Sequence, residues 1–167
     1  GTGTKATSEN AGEGGPAGAA DLTNPGGLIG ADGNFYLADD SSNGQSRLRV
    51  VNLGTTTITR GAVSVAPGAI ATVAGSGLAR ANDNANLGDG GSALAASFRS
   101  VSGFSLDSRL LLYVSDVADS RVRVVNLGQT QTIRGFSLGA GTIDTAIGTG
   151  VPAFAGDPGL VSFTFNG

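Results

Sequence analysis

The sequence predicts an all-β protein built from antiparallel repeats, on three observations. The segment RLRVVNLG of residues 47–54 returns as RVRVVNLG at residues 121–128, with Leu48 against Val122 the single difference. Glycine is the compositional outlier, at 29 of 167 residues; without a Gly-X-Y period it argues for many tight turns rather than a collagen helix. The periodic segments are made of Val, Ile, Leu, Thr and Phe, which favour strands, and none follows a helical period.

The repeat extends well beyond those eight residues. GEGG at residues 12–15 matches GDGG at 88–91, FYLAD at 35–39 matches LYVSD at 112–116, and IATVAGSG at 70–77 matches IDTAIGTG at 143–150. GTG at residues 1–3 recurs as GSG at 75–77 and as GTG at 148–150. These landmarks keep one order and a nearly constant spacing, which is the signature of an internal repeat. The chain reads as two full units and the start of a third.

Within the first unit, GLIGA at residues 27–31 reads as a strand that ends in the tight-turn signal Asp32-Gly33-Asn34. FYLAD follows as the second strand. SSNGQS at residues 41–46 is a polar loop with an Asn-Gly turn. RLRVVNL is the third strand, with Leu48, Val50 and Asn52 on one face and Arg47, Arg49, Val51 and Leu53 on the other. TTTITRGAVSV at residues 55–65 predicts an extra hairpin turning at Arg60-Gly61, with its threonines on an exposed strand face. Ala66-Pro67-Gly68 breaks it, and residues 69–75 form the last strand. The second unit follows the same plan, opening with a hairpin over residues 103–116, and Thr130 and Thr132 match the exposed threonines of the first. Tyr36 and Tyr113 hold matching strand positions and read as packing residues.

Repeated four-stranded antiparallel units predict propeller blades. Such a unit has two apolar faces and needs neighbours on both sides. The domain reading is a lead-in segment over residues 1–26, a blade-like repeat over 27–77, a lead-in and second repeat over 78–150, and the start of a third over 151–167.

The stretch GEGGPAGAADLTNPGGLIGADGNFYLADDSSNGQSRLRVVNLG, residues 12–54, resembles an NHL repeat. It carries that family's acidic Gly-rich loop, a Pro-Gly before the first strand, a Gly-Asn turn, Tyr-x-Ala-Asp, a polar loop and Arg-x-Arg. The second copy is similar but has Val101-Ser102 in place of the proline, and DSRLLLY where ADGNFY stood. The resemblance implies a β-propeller, usually of six blades, and two blades do not close one. The missing blades are expected either in further sequence or in other copies, as a ring of three chains or an open filament. The chain starts at Gly1 and has no methionine, as expected of a processed product or a fragment. Residues 148–167 resemble the opening of each unit, Ser162-Phe163 matching Ser97-Phe98 and Asp21-Leu22. This tail, with Phe163 and Phe165, is expected to dock on the next copy.

The resemblance also places Asp39 and Asp116 at the end of the second strand and Arg47 and Arg121 at the start of the third. Two readings compete for these pairs: a structural brace, and a ligand or calcium site at one rim. A feature repeated in every unit favours the brace.

Several function classes lose their chemistry. NHL-like lyases use histidine, and this chain has neither histidine nor cysteine. Zinc of the usual kind and histidine-activated nucleophiles are thereby excluded. The ten Lys and Arg, in a chain of net charge −3, cannot form a phosphate-binding surface, so nucleic acid is not an expected partner. No apolar run is long enough for a spanning helix. Calcium is the one cofactor the residues could hold, through Asp39 and Asp40 or through Glu13, Asp83, Asp89 and Asp157. Turn chemistry accounts for the same residues, and the expected cofactor is none.

The expected function is therefore a non-catalytic, self-associating structural or interaction module. A Gly-, Ser- and Thr-rich, Lys-poor, Cys-free composition points to an extracellular or secreted setting. The expected partners are other copies of the chain, with protein or glycan second. The alternatives are a protein- or carbohydrate-binding scaffold within a larger NHL propeller and, third, a carboxylate- or calcium-dependent enzyme.

Overall fold

A computed structural model of the chain describes residues 12–40, 46–78, 87–133 and 135–151. The fold is all-β, with four antiparallel sheets. The first unit contains β1 (Pro25–Ile29), β2 (Phe35–Asp39), β3 (Arg47–Val51) and β6 (Ile70–Ala74), hydrogen-bonded in that order. A two-stranded hairpin, β4 (Ile58–Arg60) and β5 (Val63–Val65), is inserted between β3 and β6. The second unit repeats this with β7 (Val101–Leu106), β8 (Leu111–Asp116), β9 (Arg121–Asn126) and β12 (Ile143–Ile147). Its inserted hairpin is β10 (Gln131–Ile133) and β11 (Phe136–Leu138).

Alternation sends every second side chain to each face of a sheet. Tyr36, Ala38, Leu48, Val50, Ala71 and Val73 line one face of the first unit. They share a core with Phe98, Leu112, Val114, Val125 and Ile143 of the second. The two sheets thus pack face to face. Backbone links join them: Gly75 N–H donates to Ala93 O at 2.9 Å, Ser76 N–H to Ala96 O at 2.8 Å, and Gly61 N–H, at the tip of the first hairpin, to Leu127 O at 2.8 Å.

The Gly-rich lead-ins close the outer edges of the sheets. Gly14 N–H donates to Ile70 O at 2.9 Å and Ile70 N–H to Gly15 O at 3.0 Å. In the second unit Gly90 N–H donates to Ile143 O at 2.8 Å and Ile143 N–H to Gly91 O at 3.1 Å. Each lead-in then turns through a short 3₁₀ segment, Ala17–Ala19 or Ala93–Ala95. A last strand that would present bare N–H and C=O groups is paired instead.

The repeated Val-Val-Asn-Leu-Gly has a physical explanation. Asn52 and Asn126 are fully buried and staple each hairpin to its sheet. The Asn52 amide donates to Thr56 O at 2.8 Å and Val65 O at 2.9 Å, and its Oδ1 accepts Gly54 N–H at 2.9 Å. Asn126 donates to Gln129 O and Leu138 O at 2.8 Å each and accepts from Gly128 N–H at 3.0 Å. The left-handed glycines Gly75 (φ 92°) and Gly148 (φ 91°) are equally constrained. A Cβ on either would lie 2.6 Å from a backbone carbonyl, of Ser46 or Ser120.

Details differ from the sequence expectation. The first strand starts earlier, at Pro25, because Gly30 to Asn34 form the turn, with Gly30 N–H bonded to Asn34 O at 2.8 Å. The first hairpin turns at Gly61-Ala62, since Arg60 pairs with Val63 and stays in its strand. Residues 55–57 precede that strand in a turn rather than forming its face.

The staple is testable. Asn126→Ala leaves the buried Leu138 carbonyl without its partner, frees the Gln129 carbonyl and the Gly128 amide, and is expected to cost about 1–3 kcal/mol, read as a lower urea midpoint.

Candidate functional site

The densest polar construction in each unit is a buried arginine held by the acid of the Gly-rich loop. Arg49 and Arg123 are 0 % exposed. Each is the second arginine of Arg-x-Arg, on the strand face opposite Leu48 and Val50 or their counterparts. In the first unit Glu13 meets the Arg49 guanidinium at 3.4 Å. Glu13 also accepts Thr72 N–H at 2.6 Å and Thr72 Oγ1–H at 2.8 Å. In the second unit Asp89 lies 2.6 Å from Arg123 and 3.6 Å from Arg121, and accepts Thr145 Oγ1–H at 2.5 Å. Arg123 also donates to Ser97 O at 3.0 Å and Leu87 O at 2.8 Å, and stacks 5.1 Å above the Phe98 ring.

Asp39 and Arg47 are cross-strand partners and lie 3.6 Å apart. The same carboxylate reaches Arg49 at 3.5 Å and accepts Thr23 N–H at 2.8 Å. The second unit departs from this pattern. Arg121 faces Asp116 in register, but its guanidinium goes to Asp89 and Thr145. Asp116 instead accepts Arg99 N–H at 3.3 Å and Ser100 N–H at 3.4 Å. Its Oδ2 has no hydrogen-bond donor among the described residues. Burial, and then the nearby Asp119 charge, push its pKa up to about 6 against the backbone donors and Arg123.

Glu13, Asp39 and Asp89, read from sequence as possible calcium ligands, are thus engaged by arginine, threonine and backbone donors, and Asp40 accepts Ser46 Oγ–H. Among the described residues no group of three or more acids could hold a metal. Asp83, Asp157, Phe163 and Phe165 lie outside the described residues.

A third cluster exists only in the first unit. Tyr36 Oη donates to Asp32 Oδ2 at 2.8 Å, and Arg60 Nε donates to Tyr36 Oη at 2.7 Å and Asp32 Oδ2 at 3.1 Å. Burial opposes the Asp32 charge, but hydrogen bonds from Asn34, Arg60 and Tyr36 outweigh it and hold the carboxyl below its usual range. Burial, then the Asp32 bond, push the Tyr36 phenol up. Arg60 is also raised: burial acts against it, and its bonds to Asp32 and Tyr36 prevail. None of these groups exchanges a proton near neutrality, so the cluster clamps the hairpin to its sheet.

The outer flanks differ from the buried interface in a systematic way. Leu127 is 1 % exposed beneath the first hairpin, and its repeat counterpart Leu53 is 55 % exposed. Phe98, Leu112 and Val125 are fully buried, whereas their counterparts Leu22, Phe35 and Val51 are half-buried. These three, with Leu37 and Ile70, line an apolar groove of roughly 470 Å³ on the outer flank of the first unit. The second unit's outer flank mirrors this. Ala74 is 0 % exposed and its counterpart Ile147 is 46 % exposed. A separate cleft of roughly 360 Å³ runs between β1 and β7, bordered by Asn24, Asp40 and Phe104.

No protein-family model and no curated protein matches this chain.

Removing a buried charge partner strands the groups it served. Arg123→Met is expected to destabilise by about 3–5 kcal/mol. Arg123→Lys will not restore it, because a point charge cannot span Asp89, Ser97 O and Leu87 O at once. Arg109→Ala, from an exposed pair with Asp107, should shift stability by less than about 1 kcal/mol in the same urea titration. Asp116 gives a pH signature. Its folded pKa exceeds the unfolded value, so between about pH 4 and 6 the native state binds more protons than the unfolded chain. Its contribution is therefore favourable below that window and is lost as pH rises through it. Asp116→Asn should be more stable than wild type at pH 7.5, by on the order of 1–3 kcal/mol, and the difference should vanish towards pH 4.

Proposed function

We propose that this chain is a non-catalytic structural or interaction module, built of propeller-blade-like units, that self-associates through its outer sheet faces and acts outside the cell. The observation that carries this reading is the pair Leu53 and Leu127: one leucine in two copies of one motif, covered in the second and bare in the first. An apolar groove and an exposed leucine on one flank form the kind of patch that marks an association surface. The polar clusters support the non-catalytic part. Their carboxylates serve arginines and backbone amides; of the two acids that burial raises, Asp116 is fully buried and Asp144 accepts Thr145 N–H. The extracellular setting rests on composition.

Sedimentation velocity from low micromolar concentration upward tests the reading. Species at multiples of the 16.3 kDa chain, growing with concentration, are the expected result. A folded monomer throughout the range would refute it.

A further inference from the structure

We propose that copies mate head to tail, the outer flank of the second unit of one copy docking on the outer flank of the first unit of the next. This inference rests on the self-association reading and adds which face meets which. The partner is a second copy of this chain.

A contact of this kind already exists inside one chain. There, the first unit presents Tyr36, Leu48, Val50 and its β4–β5 hairpin, and the second presents Phe98, Leu112, Val125 and Leu127. Repetition of the sequence recreates both halves on the outside. The flank of the first unit carries Leu22, Phe35, Val51 and Leu53, the counterparts of the second unit's buried surface. The flank of the second carries Tyr113, Val122 and the β10–β11 hairpin, the counterparts of the first unit's Tyr36, Leu48 and β4–β5 hairpin; Val124, the counterpart of Val50, lies beneath its own hairpin. Each flank therefore has, on the opposite end of the same chain, the surface that its equivalent already binds.

A polar connection transfers as well. Gly75 N–H donates to Ala93 O; the matching pair is Gly148 N–H and Ala17 O across copies. Gly75 is buried and Gly148 exposed, in the same left-handed conformation. A symmetric contact of first flank on first flank would oppose two grooves and leave neither with a hairpin to cover it. The head-to-tail contact is heterologous, so every open assembly keeps one free flank of each kind until a ring closes.

The test uses two exposed residues, so that the core is untouched. Leu53→Glu blocks the first flank and Ile147→Glu blocks the second. Alone, each variant is expected to be a monomer by sedimentation or mass photometry. Mixed in equal amounts, they should form a dimer of twice the chain mass and nothing larger, because one intact flank of each kind remains. The mixed dimer should be at least tenfold tighter than either variant's self-association. If wild type associates but the mixture stays monomeric, or if one variant alone still dimerises, the head-to-tail assignment is overturned while self-association stands. A monomeric wild type would overturn both. Should either glutamate variant lose its β-sheet circular dichroism, Leu53→Ser and Ile147→Ser serve in the same mixing design, with the same outcomes.

Discussion

A guanidinium with no access to water must be paired, and the rest of each unit is arranged around that requirement. Arg49 and Arg123 sit at mid-strand, 0 % exposed. Leaving either unpaired would cost several kcal/mol. Their carboxylates come from far away in sequence, from Glu13 and Asp89 in the Gly-rich lead-ins. To deliver the acid, the lead-in must lie along the last strand, where its backbone bonds to Ile70 or Ile143. Once there, it closes the sheet edge and places the 3₁₀ turn that follows. In the second unit that turn receives Gly75 and Ser76 of the first. One ion pair thus connects the lead-in, the sheet edge and the junction between units.

The second dependence is apolar. A β-sheet with side chains alternating to both faces has two surfaces to cover, and each unit covers only one on its neighbour. The remaining flank of the first unit is partly shielded by its own Ala17, Ala20 and Leu22. The second unit shields its flank with Ile133, Phe136 and Leu138 of its hairpin. Leu53 and Ile147 remain outside these local covers. The imbalance follows from the repeat: the same motif occurs in two settings, and only one provides a neighbour.

Much of this was legible in the sequence. The strands, the extra hairpin and the sheet-forming repeats follow from alternation, turn residues and recurrence, and the Asp39–Arg47 proximity follows from register. The buried arginines were not legible, because arginine by default lies at the surface and no local signal says otherwise. Two features together point to them: Arg-x-Arg kept in both copies, and one acid kept in both Gly-rich loops. Read separately, only the first arginine of each motif, Arg47 or Arg121, is drawn into a brace, and Glu13 and Asp89 read as possible calcium ligands. The Asp116–Arg121 pairing failed as an extrapolation for a related reason. In the second unit the loop acid is Asp89, which takes both Arg121 and Arg123, leaving Asp116 to backbone amides.

The two units also differ by a coordinated exchange, which explains how near-identical motifs support different surroundings. In the first, Asp32, Asn34, Tyr36 and Arg60 form the polar clamp that holds the hairpin. At matching positions the second has Arg109, Leu111, Tyr113 and Ile133. The acid and its arginine disappear together, and Leu111 and Ile133 enter one apolar cluster with Leu138. Keeping Arg60 without Asp32 would bury an unpaired charge; keeping Asn34 opposite Ile133 would strand an amide. The exchange works only as a set. The turn pays for it: Leu110 adopts φ 64° where Gly33 sits at φ 77°, a conformation that costs a side-chain-bearing residue about 1 kcal/mol. The first hairpin, whose clamp satisfies the Tyr36 hydroxyl, bonds across to the second unit through Gly61 N–H and Leu127 O. The second is held by apolar packing and the Asn126 staple and lies on the outer flank, where Tyr113 is half-exposed and needs no such clamp.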